Sequence, residues 1–265
     1  MEKHISKFYD NHELIHSPNG RMLRIMSEYI GPQEIFKKHR IQDTVVFFGS
    51  ARLQPTHILE QKLETARKRN AGTAELEALQ RQLEMGHYYD AARELAYKMT
   101  KWSKELKNGK RRFIVTTGGG PGIMEAANRG AAEAKGLSVG LNISLPFEQA
   151  GNPYTTSMLE MEFHYFFMRK YWFMYMAKAL IAFPGGFGTL DELFETLTLR
   201  QTGKVQKHMP VVLFGKRFWD RVLSMDVMAE MGTISSEDLE MFIVTDSVEE
   251  AFDYLTKELT EHYLK

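Results

Sequence analysis

The chain has 265 residues, 43% of them hydrophobic and 26% charged, which suits one large α/β domain with additions and a sizeable core. Lysine plus arginine and aspartate plus glutamate number 34 each, so no net basic field attracts a nucleic-acid polymer or an anionic membrane, and an anionic ligand has to be held locally. Cysteine is absent, which excludes disulfides, thiolate chemistry and cysteine-based zinc sites and fits a cytoplasmic setting.

Met1–Gln42 reads as a polar, partly helical N-terminal extension, with a turn at Ser17-Pro18-Asn19-Gly20 and a break at Gly31-Pro32. Its first ten residues lack the apolar core of a secretory signal. From residue 43 onward, apolar runs alternate with helical periodicity, the pattern of a parallel sheet covered by helices. Thr44–Phe48 is the first strand. A helical hairpin is expected as an insert over about residues 56–86, interrupted near Asn70-Ala71-Gly72-Thr73. Leu59, Leu63 and Ala66 form one apolar stripe, and Leu76, Leu79 and Leu83 form another. Such stripes pack on their own domain or against a second copy, and the spacing does not choose between them.

The remaining strands are expected at Arg112–Thr116, Ser138–Ile143, Ala179–Phe183, Pro210–Phe214 and Met241–Val244. Helices are expected at Asp90–Leu106, Pro121–Lys135, His164–Ala177, Thr189–Gly203, Arg217–Met231 and Ser247–Leu264. Phe163–Ala177 is the most apolar stretch, yet it falls short of the ~18 uncharged residues of a membrane span and carries Arg169 and Lys170. The fold expected over residues 43–265 is a Rossmann-like α/β domain, a parallel sheet with helices on both faces. Ligands of such sheets sit beyond the carboxyl ends of the strands.

Two loops at strand ends are rich in glycine. Thr117-Gly118-Gly119-Gly120-Pro121-Gly122 follows one strand and opens a helix, so free N–H groups and a positive dipole end meet where the backbone can approach an anion closely. No Walker lysine follows. Ile123 stands where the dinucleotide fingerprint needs glycine or alanine, and no acid appears near Gly140, so NAD is disfavoured. Pro184-Gly185-Gly186-Phe187-Gly188-Thr189 repeats the arrangement after another strand, and Thr189 is expected to cap the helix or bind a phosphate oxygen. Asp191 and Glu192 follow; one acid satisfies the helix dipole, whereas two beside an anion cradle suggest chemistry. Gly49 and Ser50 end the first strand and are expected to line the same crevice. In the apolar Phe163–Ala177 segment a buried cation requires an anionic partner or ligand, so Arg169 is read as functional, and Lys170 as either functional or snorkelling.

These residues resemble the Lonely Guy (LOG) family of phosphoribohydrolases, often labelled lysine decarboxylase-like. The signature is Pro184-Gly185-Gly186-x-Gly188-Thr189-x-x-Glu192, preceded by Arg169-Lys170, with the Gly118–Gly120 loop and the Gly49-Ser50 turn in the family's order. Leu145-Pro146-Phe147-Glu148-Gln149 and Asn152-Pro153-Tyr154 are similar to its longer bacterial branch. The resemblance implies cleavage of a nucleoside 5′-monophosphate to free base and ribose 5-phosphate, at a site shared across a homodimer or higher homo-oligomer. It implies Arg169 and Glu192 as catalytic residues, with Glu148, Lys170, the Gly185–Glu192 loop and Thr198 as binding positions.

Glycoside cleavage passes through an oxocarbenium-like state that a carboxylate stabilises while orienting or deprotonating water. Glu192 is expected to do this, kept ionised by Arg169, with Asp191 as the alternative acid. No cofactor is expected, since no lysine stands in a recognisable pyridoxal site. The nine histidines read as scattered and without H-E-x-x-H spacing, so no metal is expected either. The competing reading is a non-catalytic carrier of a nucleotide or of the molybdenum cofactor, using the same loops only to bind.

Overall fold

The computed structural model describes residues 7–106, 109–145 and 151–265. Two helices, α1 (His12–His16) and α2 (Arg21–Lys38), precede strand β1 (Thr44–Phe48). Then come α3 (Thr56–Lys68), α4 (Thr73–Glu105), β2 (Ile114–Thr117), α5 (Ile123–Glu133), β3 (Ser138–Ile143) and β4 (Glu160–Phe163). The second half holds α6 (Phe166–Met176), β5 (Ala177–Ala182), α7 (Phe187–Gln201), β6 (Val211–Phe214), α8 (Lys216–Val222), α9 (Met225–Glu230), β7 (Ile243–Thr245) and α10 (Val248–Tyr263).

The strands form one sheet in the order β4-β3-β2-β1-β5-β6-β7, and every pairing is parallel. Val46 of β1 lies between Thr116 of β2 and Leu180 of β5. The chain builds outward from β1 on one side, then returns to build from β5 on the other. Loops leaving β1 and β5 therefore diverge, and the crevice between them is where such sheets bind ligands. All five residues of β1 are buried, as covering both faces requires. Val45 and Phe47 enter a core with residues of α4, α5 and α10; Val46 and Phe48 enter one with residues of α2, α6, α7 and α8.

Several elements differ from expectation. The expected second arm of the hairpin and the expected Asp90–Leu106 helix are one continuous helix, α4, of 33 residues. Gly86 does not break it: a Cβ there would meet Thr56 and Leu59 at 3.0–3.1 Å, so its small size lets α3 lie close. Leu59, Leu63 and Ala66 of α3 are buried, and Leu76, Leu79 and Leu83 of α4 are half-buried. The expected Arg217–Met231 helix is split into α8 and α9, because Leu223 turns extended and packs into the core that holds Trp219. An edge strand, β4, was not expected; its alternation buries Met161 and Phe163 and exposes Glu160 and Glu162. Two helix starts also shift. Gly122 rather than Pro121 leads α5, and Gly186 rather than Thr189 caps α7.

The extension is anchored on the sheet's helical layer. From α2, Glu28 accepts N–H bonds from His164 at 2.8 Å and Tyr165 at 3.2 Å, the residues leading into α6. The indole of Trp172 donates to the Glu28 carbonyl at 2.9 Å. No described helix is long and apolar enough to cross a membrane.

Candidate functional site

A cleft of about 650 Å³ opens at the carboxyl ends of β1, β2 and β5. Gly49 and Ser50 line it after β1, Gly118 and Gly120 after β2, and Gly186, Gly188 and Thr189 after β5. Arg169 from α6 and Glu192 from α7 complete its charged lining with Arg52 and Asp191.

The glycines divide by physical role. Gly119 has φ +74°, and a Cβ on it would strike the Asn142 amide. Gly122 has φ +71°, and a Cβ would strike the Ser50 carbonyl, so this glycine lets α5 start against the β1 turn; the Ile123 N–H donates to Ser50 O at 3.0 Å. Gly185 is packed against Thr189. These three shape the loops from behind rather than lining the cleft. Gly118 does line it, and a Cβ there would collide with the Arg169 guanidinium. Gly186 and Gly188 need no glycine for internal reasons: a Cβ on either would meet nothing within 4 Å, and neither has positive φ. The N–H groups of Gly186, Phe187 and Gly188 make no hydrogen bond among the described residues, as expected for the unpaired donors at a helix start. They lie at the rim of the cleft, with the positive end of α7 behind them.

The β2 loop is held in a fixed orientation by Asn152 and Asn128, neither of which was expected to have a role at the site. The buried Asn152 amide donates to Gly119 O and Gly120 O, each at 3.0 Å, and to Asn128 Oδ1 at 3.0 Å. Asn128 accepts in turn from the Thr117 hydroxyl at 2.6 Å. The loop's carbonyls are thus tied into the protein and kept away from an incoming anion. Asn142, at the end of β3, also lines the cleft. A polar residue near the carboxyl end of a strand is a signal that would have found it; Asn152 offers none beyond its place in a family motif.

Glu192 is 5% exposed and its carboxylate accepts no hydrogen bond among the described residues. Burial pushes it up to about 7, against the opposing charges of Lys170 and Arg169 and with help from Glu195 and Asp191. The expectation that Arg169 holds it fully ionised is corrected: no direct ion pair joins the two, so the guanidinium acts at a distance and desolvation wins. Arg169 is fixed elsewhere. Its Nε donates to Leu141 O at 2.7 Å, and its guanidinium lies 5.2 Å from the Phe173 ring centre.

Lys170 does not line the cleft. Its Nζ pairs with Asp191 at 2.9 Å and Glu195 at 2.6 Å, tying α6 to α7. Thr198 is exposed nearly two turns beyond Glu192, and with Lys170 it lines a neighbouring groove of about 450 Å³. Glu148 lies outside the described residues. Among the described residues the cleft lining contains no lysine.

The histidines are neither all scattered nor free of H-E-x-x-H spacing, contrary to expectation. His12-Glu13-Leu14-Ile15-His16 has H-E-x-x-H spacing, on the exposed five-residue helix α1 beside α2, and no third ligand joins it among the described residues. A separate group, His208, Glu258 and His262, comes together only on folding.

The family model described as "Possible lysine decarboxylase" matches residues 124–255, which include α6, α7 and the second glycine loop. The chain belongs to this LOG-type family. No curated protein matches it in sequence. Among solved structures it is similar to the molybdenum cofactor binding protein of Rippkaea orientalis, at 17% identity over 82% of this chain and 96% of that one, with a TM-score of 0.50. It is also similar to the Moco carrier protein of Chlamydomonas reinhardtii, at 16% identity over 83% and 99% of the two chains, with a TM-score of 0.49. At such identities the likeness speaks to the fold alone. Membership of the LOG-type family points to a nucleotide-related function.

Proposed function

We propose that this LOG-family chain hydrolyses the N-glycosidic bond of a nucleoside 5′-monophosphate, of the AMP or cytokinin riboside monophosphate type. The observation that carries the reading is Glu192, a buried carboxyl that accepts no hydrogen bond among the described residues, raised toward neutrality by burial in a cleft whose rim carries the Gly186–Gly188 N–H groups. The 5′-phosphate is received by the Gly186–Gly188 backbone and the Gly118–Gly120 loop, and Arg169 lies between that loop and β3. Ionised Glu192 takes a proton from water as the hydroxyl adds to C1′ and the N-glycosidic bond breaks; that proton passes on to the departing base, which restores the carboxylate and gives free base and ribose 5-phosphate. The family's binding positions Lys170 and Thr198 line the groove beside the cleft, which supports a site completed by a second copy. The absence of cysteine supports a cytoplasmic setting.

The carrier reading draws on the resemblance in fold to molybdenum-cofactor proteins and needs the glycine loops only. A carrier of anions gains nothing from a buried acid beside its anion cradle, so Glu192 favours the hydrolase. Incubation with AMP and chromatographic assay for adenine and ribose 5-phosphate separates the two. Turnover, lost on the order of 10²–10⁴-fold in Glu192→Gln, is the expected result. Tight AMP binding without products would favour the carrier, and unchanged hydrolysis by Glu192→Gln would remove Glu192 from the mechanism.

A further inference from the structure

A second cluster lies at the amino end of β6, across the sheet from the cleft. His208 belongs to the segment leading into β6, whereas Glu258 and His262 are one turn apart on α10 and share a face. His208 Nε2 is 2.7 Å from Glu258 Oε2, and His262 Nε2 is 3.9 Å from the same oxygen. All three donor atoms lie within 4.8 Å of one another. The two imidazoles stack, with ring centres 3.7 Å apart. The hydroxyl of Tyr263 donates to the His208 carbonyl and so pins that residue against α10.

We propose that His208, Glu258 and His262 form a binding site for one divalent transition-metal ion, with Zn²⁺ the best fit. Two imidazole nitrogens and one carboxylate suit zinc, cobalt, nickel or copper rather than calcium or magnesium, which require oxygen ligands. Tetrahedral zinc with bonds of 2.0–2.1 Å sets donor–donor edges of roughly 3.3 Å, between the two separations found here. In the stacked arrangement the two rings do not aim their nitrogens at one point, so binding requires a side chain of the pair to turn out of the stack, and water fills the fourth position. The His208–Glu258 contact and the i,i+4 spacing of Glu258 and His262 on α10 bring the three groups together at one carboxylate oxygen. Because the cluster is remote from the cleft, the ion acts as a clamp between α10 and the β6 lead-in.

The test is Zn²⁺ titration of chelator-treated full-length protein against a chromophoric competitor, with Co²⁺ absorption as a readout of geometry and thermal unfolding as a readout of stabilisation. One equivalent should bind and raise Tm. His262→Ala, at a half-exposed side chain, and Glu258→Gln should each weaken binding at least tenfold and abolish the Tm shift. The His12→Ala/His16→Ala double variant removes the other closely spaced histidine pair and should leave both readouts unchanged. Absence of a bound equivalent, or binding that survives His262→Ala and disappears in the double variant, overturns the site.

Discussion

At the scale of single residues, Glu192 ties stability and chemistry to one proton. An unfolded glutamate releases its proton near the ordinary value of 4.5, whereas folded Glu192 holds it to about 7. Between those values the folded state binds more protons than the unfolded one, so this residue's contribution to stability falls as pH rises from about 4.5 to 7. Glu192→Gln mimics the protonated acid at every pH. Urea unfolding should find the variant near wild type at pH 4.5 and more stable at pH 8, by as much as about 3 kcal/mol. The proposed hydrolysis should run the other way: wild-type kcat/KM should climb with ionisation, half-maximal near the same pH, and that limb should vanish in the variant. Gly188 provides a complementary probe. A methyl group there meets nothing in the protein, so Gly188→Ala should fold with undiminished stability. If its N–H is approached by a phosphate, the same methyl should raise KM for AMP several-fold with little change in thermal unfolding. An unaltered KM would place the phosphate elsewhere.

At the scale of elements, the start of α6 is set by a residue far away in the chain. Glu28 places a carboxylate at the positive end of the helix that carries Arg169, and it accepts two N–H groups there. Glu28→Ala should cost about 2 kcal/mol in urea unfolding, because it strands donors that had a charged acceptor. By loosening Arg169 it should also lower kcat more than it raises KM. Nothing in the sequence announces this, since the partners are more than 130 residues apart. What the sequence does reveal is local. Val45-Val46-Phe47-Phe48 is apolar throughout because a central parallel strand has no solvent face, and its boundaries are found as expected. The glycine loops are legible because they pair a strand end with a helix start. By contrast, β4 is a four-residue edge strand whose alternation is too short to stand out. The continuity of α4 depends on Gly86 packing against α3, a tertiary fact. The displacement of Lys170 from the cleft follows from its two carboxylate partners one helix away, which spacing alone does not reveal. Likewise, the pKa of Glu192 reflects burial, not the sequence proximity of cations.

At the scale of the molecule, the reversal of strand order at β1 brings the β1, β2 and β5 loops to one crevice, and the two helices that carry Arg169 and Glu192 also reach the surface. There they leave apolar side chains uncovered. Phe167 and Tyr175 of α6 are 51% and 57% exposed, and Phe187 at the lip of the cleft is 92% exposed. The α2 residues Met22, Met26 and Ile30 are exposed as well, and the Tyr29 ring lies tilted against that of Tyr171, with ring centres 5.6 Å apart, linking this surface to α6. A patch of this kind is the feature by which the proposed second copy would be received. Its position beside the groove lined by Lys170 and Thr198 is what a site shared between two copies requires. Tyr175→Glu tests the idea away from the cleft: it adds a charge to the exposed face while leaving the cleft lining intact. Sedimentation across a range of protein concentrations should find wild type as a dimer or larger and the variant shifted toward monomer. Hydrolysis of AMP should fall in step with the monomer fraction and recover at high concentration, since the site would need both copies. A variant that is monomeric yet fully active would separate assembly from catalysis, and wild type that is monomeric at every concentration would remove the shared site altogether.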